Sequence, residues 1–529
     1  WVATGSVATG SVATRPAADP AVAAGPAAAG PPAEGVSGGG GPRTRGALVV
    51  VRLADLAVGV HRFLPDPTCP VCGDLPDDGP AAARPPRSRP KPARDTYRVR
   101  TPDADRLRRT YVDPEVGLVR RLGSRTEAGL AVGRAPLGIP GGPDDAGWGR
   151  ARDSGAAELV ALLEALERYG GARPGGRRTA VRAPYPEVAD HAVDPVAFGL
   201  HADGQRAEPG HRYPAYDPAA PRHWVWAYSF RRRGPVLVPQ SLAYYRTRLL
   251  HPDDPPLAYE TSNGCALGSC PEEAVLHGLL EVLERDAFLL TWHAQLPAPA
   301  LDRAGWADPL ARLLAAEIEQ ESGCAVHVFD TTAEHGIPCV WALALAPLGA
   351  PGPVTASAAG ASPDPARALR SALAELGPIL AHLRRDFPAT GARAAELVAD
   401  PAAVTEMEDH ALLHGSPAAR DRFDFLLHPP AGPAPARTDP PEPAADLRED
   451  LLAAVGRLLD LGLDVLAVDQ TTPEHRAADL SCAKVLVPGL LPMTFGHAHR
   501  RLGLPRLQTA RARSGLPPAP VRTLPHPFP

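Results

Sequence analysis

The sequence predicts an α/β or α+β fold, and three observations predict it. Two segments, 156–169 and 271–292, carry leucines at helical spacing. These are Leu159, Leu162, Leu163 and Leu166 in the first, and Leu276, Leu279, Leu280 and Leu283 in the second. Short β patterns, HWVWAYSF and PVLVPQSL, alternate with Pro-rich turns over 172–260. Apolar runs at 323–347 (GCAVHVFDTT, PCVWALAL) read as buried strands. A helical pattern follows at 365–386, and a helix then a strand fill 446–468.

Length and charge bound the function. A chain of 529 residues has room for about two to three domains and a large core. Its net charge of −5 argues against nucleic acid as the main partner. No apolar run is long enough to span a membrane. Arginine carries nearly all the positive charge. Neither lysine, Lys91 or Lys484, is followed by Ser or Thr, so there is no GK[ST] phosphate loop and any nucleotide is held another way. The cysteines are sparse, which suits a reducing cytosol, and a cytoplasmic location is expected.

Taken in order, the chain starts at Trp1 and not at Met, so a fragment or processed product is expected. Residues 1–46, rich in Ala, Gly and Pro with a VATGS repeat, read as disordered. Residues 47–64 look like one or two strands. Cys69-Pro70-Val71-Cys72 is a CxxC knuckle, half of a tetrahedral zinc site. The other cysteines, Cys265, Cys270, Cys324, Cys339 and Cys482, form no second CxxC, so a complete zinc site needs distant cysteines or another chain; plain loop cysteines are the alternative. Residues 74–95 read as a Pro/Arg-rich linker, and 97–130 as short strands leading into a main domain at 96–507. Residues 387–445 read as irregular. The histidines of the cluster His497, His499, Arg500 and Arg501 read as surface groups. The tail 508–529 is Pro-rich.

The chemistry concentrates on two helices. Glu273, His277, Glu281 and Glu284 are spaced four, four and three, which puts them in one row. Like charges in a row repel, so the row is either solvated or neutralised by a cation. Upstream, Glu164 and Glu167 stand three apart beside the first apolar face. Both segments end in Glu-Arg, as Glu167-Arg168 and Glu284-Arg285. Packed side by side, the two helices bring four carboxylates together, a donor set that suits Mg²⁺ bridging to substrate phosphates. Otherwise they are amphipathic surface helices with solvated glutamates.

The segment Ser262–Phe288 reads SNG-x-A-x-G-x-x-x-EEA-x-x-x-x-L-x-E-x-x-ERDAF and follows an E-x-x-ER-Y helix. This pattern resembles the YcaO family, ATP-dependent enzymes that modify peptide backbone amides, over roughly residues 140–529. The final Pro525-His526-Pro527-Phe528-Pro529 resembles the PxPxP tail of the azoline-forming cyclodehydratases in that family. The resemblance implies a YcaO-type domain with mixed sheets and flanking helices, bound ATP and Mg²⁺, and a ribosomally made precursor peptide as substrate. It places Ser269, where Asn is usual, and Glu273 at nucleotide positions. Glu164, Glu167, Glu281, Glu284 and Arg285 fall at metal and phosphate positions, and the Pro529 carboxylate near the active site as catalytic base. His277 matches no such position and is assigned to packing. Arg150, in Gly147-Trp148-Gly149-Arg150, stands where relatives have a Gly-Lys-Gly and is a candidate phosphate contact. Relatives show R-A-L-x-E-x-x-Q where this chain has Ser371 at the Arg and Pro378 at the Gln; Arg370 or Arg367 is the candidate replacement.

By the same resemblance, 47–95 is a remnant of a leader-binding module plus linker. An E1-like leader-peptide-binding partner protein and a homodimer are expected. The reading is azoline formation from Cys, Ser or Thr. Two alternatives stand: thioamide or amidine formation at the same site, and a non-catalytic docking subunit supporting an active paralogue.

Overall fold

The computed structural model describes residues 46–69, 71, 73–127, 129–138, 145–429 and 439–528. The expectation of disorder falls outside these residues for 1–45, as do Cys72 and Pro529. The strands, in chain order, begin with a hairpin of β1 (Ala47–Arg52) and β2 (Ala57–Arg62). Next come β3 (Gly123–Glu127), β4 (Leu130–Leu137) and β5 (Asp145–Ala151), paired in that order. Strands β6 (Val181–Ala183), β7 (Arg222–Ser229), β8 (Gly234–Pro239) and β9 (Cys265–Gly268) follow. Then come β10 (Ala325–Asp330), β11 (Cys339–Leu345) and β12 (Thr355–Ala361), a sheet in that order. Last are β13 (Leu466–Asp469) and β14 (Ser481–Leu486). They complete a six-stranded sheet of order β6-β7-β13-β14-β9, with β8 also on β7. The strand pairs are antiparallel, so the mixed fold is of the α+β kind.

Six helices matter for the site: α1 (Ser154–Ala172), α2 (Pro271–His293), α3 (Pro309–Ser322), α4 (Pro365–Ala399), α5 (Met407–Gly415) and α6 (Leu447–Asp460). Helix α1 lies on β4 and β5 at backbone distance, because Gly147 and Gly149 have no side chain to hold it off. A Cβ on Gly149 would sit 1.9 Å from the Ala157 carbonyl oxygen, and one on Gly147 2.0 Å from that of Ala161. Helix α2 is buried on almost every side. Its Leu276, Leu279 and Leu283 pack with Val485 of β14 and with Leu451 and Leu458 of α6. Burying each such leucine is worth about 1.5–3 kcal/mol. That apolar packing forces the glutamate side of α2 inside as well. Helices α3 and α4 cover β10–β12 in a second core that includes Leu314, Ala342, Ala358 and Leu373.

Several sequence expectations change. Residues 97–130 contain a helix, Ala104–Tyr111, capped by Asp103; β3 starts only at Gly123. The pattern TASAAGA was not legible as a strand because Ala, Gly and Ser have little β propensity, yet every residue of β12 is buried under α4. Residues 387–445 are not uniformly irregular. Helix α4 continues through Pro378 and Pro388 to Ala399, and α5 follows. Residues 74–95, expected as a linker, lie along the body. Arg89 pairs with Glu272, Lys91 with Asp450, and the Arg89 N–H bonds Asp446. His499 and Arg501 are buried, with Arg501 bonding the carbonyls of Phe198 and Gly199, so that cluster is structural and not solvated surface.

Candidate active site

Helices α1 and α2 put the predicted carboxylates in one buried region. Glu164 accepts the Trp148 main-chain N–H at 3.0 Å and the Arg168 guanidinium at 2.8 Å. Arg168 also reaches Asp145 at 3.2 Å, so the Glu-Arg ending of α1 is used inward. Glu281 accepts the Gly264 N–H at 3.1 Å. Gly264 is required there: its φ is +84°, and a Cβ would lie 2.4 Å from the Val485 carbonyl oxygen. The Ser262-Asn263-Gly264 turn thus brings a backbone donor to the second helix.

Burial pushes the Glu167 carboxyl well above the usual carboxylate range, and repulsion from Glu281 and Glu164 pushes it further. Glu284 is raised to about 7, first by burial, with Glu281 adding to it and Arg285 opposing. The Arg285 guanidinium stands 3.7 Å off, and the Ala361 main chain also draws the carboxyl's pKa down. Glu375 of α4 joins the same group. Burial raises it to about 8, opposed by Arg150 and Arg285 and reinforced by Glu284 and Glu164. The Glu row is thus buried and not solvated: Glu273 and Glu281 have protein donors, while Glu284 faces Arg285 at 3.7 Å.

A narrow cleft, about 30 Å³, is lined by Glu164, Glu167, Ser269, Glu273, His277 and Arg98. Ser269 donates its hydroxyl to Glu273 at 2.5 Å, and the Val99 N–H reaches the same carboxylate at 3.2 Å. Arg98 is 3.9 Å from Glu273. His277 is hydrogen-bonded to the Tyr97 carbonyl at 3.2 Å; burial pushes its pKa down to about 3, so it is a neutral packing group. Sequence reasoning missed Arg98 and Lys484. Lys484 is buried, donates to the Thr261 carbonyl at 2.7 Å, and its charge acts on Glu167. The signal for it was its rarity, one of two lysines, on a strand next to the motif.

Of the two proposed replacements for the missing Arg, Arg370 pairs with Asp308 at 2.6 Å, while Arg367 stands 3.5 Å from Asp364 and its charge acts on Arg98 and His277 of the cleft. Arg150 is the guanidinium whose charge acts on both Glu164 and Glu375.

These donors fit a hard divalent cation and a polyphosphate. Hard oxygen ligands suit Mg²⁺, which is held by one or two carboxylates with waters and phosphates completing its shell. Among the described residues no group of three or more His, Cys, Asp or Glu is placed to hold a metal ion by itself, so phosphates and waters would have to complete the shell. The zinc expectation gains no support. Cys69 is half-buried, Cys72 lies outside the described residues, and Cys265, Cys270, Cys324, Cys339 and Cys482 are buried.

The C-terminal tail is an ordered part of this region. Arg522 and His293 exchange main-chain and side-chain hydrogen bonds, and the Trp292 indole donates to the Leu524 carbonyl at 3.1 Å. His414 donates to the Pro525 carbonyl and His410 to that of His526, each at 2.9 Å. His526 reaches the Thr494 carbonyl, also at 2.9 Å. Phe528 is 3 % exposed; its ring lies 3.8 Å from the Arg285 guanidinium carbon and packs edge-on against Phe288. The ERDAF sequence of α2 therefore seats the tail. Arg285 and Phe288 hold Phe528, while Asp286 is paired with Arg506 and accepts the Leu491 N–H.

A family model described as the ATP- and Mg²⁺-binding YcaO cyclodehydratase matches residues 148–491. An uncharacterized protein of Methanothermobacter thermautotrophicus is 31% identical over 194 residues, 36% of this chain and 45% of that one. Among solved structures, a heterocyclase in complex with substrate and cofactor has a TM-score of 0.71 at 25% identity, over 92% of this chain and 65% of that chain. The heterocyclase TruD gives a TM-score of 0.61 at 24% identity, over 91% of this chain and 61% of that chain, which is a likeness of fold. The chain thus spans about half of that curated relative and under two thirds of either heterocyclase.

Proposed function

The chain belongs to the YcaO family, and on that premise we propose that it is an ATP-dependent cyclodehydratase that converts Cys, Ser or Thr of a ribosomally made precursor peptide to an azoline. The observation that carries this is the junction of two features at Arg285: the buried carboxylates of Glu281 and Glu284 on one side and the buried tail on the other.

The nucleophilic side chain must attack the preceding amide carbonyl, and the oxygen must then leave. Bound Mg-ATP supplies the phosphoryl group that makes this oxygen a leaving group. Glu164, Glu167, Glu281 and Glu284 are the residues that would hold Mg²⁺, with Glu375 beside them; Ser269, Glu273 and Arg285 would meet the nucleotide. Arg150, Arg168 and Lys484 keep the net charge of the pocket from preventing polyphosphate entry. The burial of the site keeps water from the activated amide. The Pro529 carboxylate is the proposed base for the nucleophile's proton. It follows directly on Phe528, which is fixed against Arg285.

The reading extends to Mg²⁺ and ATP as cofactors, an E1-like leader-binding partner, a homodimer and a cytoplasmic location. No helix among the described residues is long and apolar enough to cross a membrane. Of the alternatives, a docking subunit is favoured by Ser371 and Pro378, but the raised Glu284 and Glu375 favour a working cation site. Thioamide or amidine formation would use the same carboxylates and leave the tail without a task.

The test is mass spectrometry of a Cys/Ser-containing precursor incubated with the full chain, Mg-ATP and a leader-binding partner. Loss of one water per ring, dependent on ATP and on this chain, is expected. Peptide binding without any mass change would establish the docking reading instead.

A further inference from the structure

A second cavity adjoins the carboxylates from the opposite face of β5. Strand alternation puts Gly147 and Gly149 toward α1 and turns Trp148 and Arg150 the other way. On that side lies a cavity of about 290 Å³ between β5, the middle of α4 and α5. Its walls are mostly apolar: Pro378, Ile379 and Leu383 of α4, and Met407, Ala411 and Leu412 of α5. Charged residues of both signs, Arg125, Glu127 and Asp386, also line it. Two buried donors on these lining residues, the Trp148 indole N–H and the Arg150 Nε–H, have no hydrogen-bond partner. Arg150 is at once a lining residue here and the cation acting on Glu164 and Glu375. The nucleotide-site residues Ser269 and Glu273 line a different cleft.

We propose that this cavity is the specificity pocket for the peptide: it takes the apolar side chain of the residue that precedes the reacting Cys, Ser or Thr. The inference rests on the peptide-modifying reading above. Four features select this occupant. The volume suits a large apolar side chain, and the lining is apolar where that side chain would be desolvated. The two unpartnered N–H groups border the cavity, and a small rotation of Trp148 and Arg150 would bring them to the main-chain carbonyls of an extended peptide. The cavity shares Arg150 with the carboxylate group, which sets it beside the proposed Mg-ATP site. Pro378 adds to the fit. It replaces a polar Gln of the family pattern with an apolar wall, so the departure becomes a change of substrate preference and not a loss of the site.

The test uses the full chain and capped synthetic peptides Ala-Gly-Xaa-Cys-Gly-Ala, with Xaa as Leu, Phe, Gly or Asp, and one peptide with benzoylphenylalanine at Xaa. Ala411→Trp fills the cavity; Trp148→Phe keeps an aromatic ring and removes the donor. Irradiation is expected to link the benzoylphenylalanine peptide to residues of α4 and α5 in the cavity. Ala411→Trp should abolish the link, and Trp148→Phe should weaken peptide binding about tenfold, the cost of one lost hydrogen bond. Leu and Phe peptides should bind about tenfold or more tighter than Gly or Asp. Mg-ATP affinity should stay within about twofold in both variants. Cross-links mapped elsewhere, an unchanged cross-link in Ala411→Trp, or an apolar preference that is absent would overturn the proposal. So would a loss of Mg-ATP binding in Ala411→Trp, which would assign the cavity to the nucleotide. Cross-linking needs no turnover. Cross-links in the cavity, with no water loss from a full precursor given Mg-ATP and a leader-binding partner, would therefore sink cyclisation while upholding the pocket.

Discussion

Replacing Phe528 by alanine tests how the tail is coupled to chemistry. The ring is 3 % exposed, packs edge-on against Phe288 with centroids 5.0 Å apart, and lies 3.8 Å from the Arg285 guanidinium carbon. Truncating a buried Phe to Ala costs about 3–5 kcal/mol. Within that, an edge-to-face pair contributes about 0.5–1.5 kcal/mol and a desolvated cation–π contact about 2 kcal/mol. The segment is a chain end, so the loss falls on tail docking before global stability. At about 3 kcal/mol the ratio of docked to free tail falls about a hundredfold. The histidine-bound part, Pro525 and His526, stays seated through His410 and His414. Water loss from a precursor, followed by mass spectrometry, should therefore slow by about two orders of magnitude. Mg-ATP affinity, measured by calorimetry, should change by less than about tenfold, because the carboxylates are intact. Phe528→Leu should recover part of the rate, since it restores apolar bulk without the ring. Unchanged turnover in Phe528→Ala would refute the reasoning, and an equal collapse of nucleotide binding would show that the tail supports the nucleotide and not the chemistry.

Further outcomes follow from the same geometry. Glu281→Gln or Glu164→Gln should abolish Mg-ATP binding by calorimetry, and retained affinity would place the metal elsewhere. Glu375 is raised in the fold to about 8 from an ordinary value of 4.5. Its protonated form therefore stabilises the fold fully below pH about 4.5, and that contribution is lost as pH rises towards 8. Thermal melts without metal should show Glu375→Gln gaining on the wild type from pH 5 to 8, and Mg²⁺ should narrow the gap; parallel pH curves would count against a buried protonated Glu375. Arg285→Lys keeps the charge but loses the planar stack on Phe528, so the rate should fall further than nucleotide affinity does. His414→Phe removes the bond to the Pro525 carbonyl in a buried setting and should slow water loss by about tenfold or more, with Mg-ATP affinity unchanged.

Much of the site was legible in the sequence. The Glu-x-x-Glu of α1 and the row on α2 are local spacings, and 3.6 residues per turn places such groups on one face without any tertiary information. The Ser-Asn-Gly turn and the Pro-His-Pro-Phe-Pro ending were equally plain. The sequence left the environment of these rows open between solvent and a cation. Local periodicity cannot tell a solvated row of glutamates from a buried one, and α2 is covered on almost all sides by β14 and α6. Strand β12 and the continuation of α4 past residue 386 through Pro388 were hidden because packing, not propensity, holds them.

The sequence by itself determined which residues are candidates for the chemistry and which helices carry them. Only the tertiary structure decided what surrounds them. It brought Glu375 and Arg150 to the carboxylates from separate elements, gave Ser269 to Glu273, and took Arg370 away to Asp308. It also turned a Pro-rich ending into a buried strap, because His410, His414 and Arg285 come from helices remote in sequence and meet the tail only in the folded chain. Charge, desolvation and hydrogen-bond satisfaction depend on neighbours across the fold, and the spacing along one helix does not contain them.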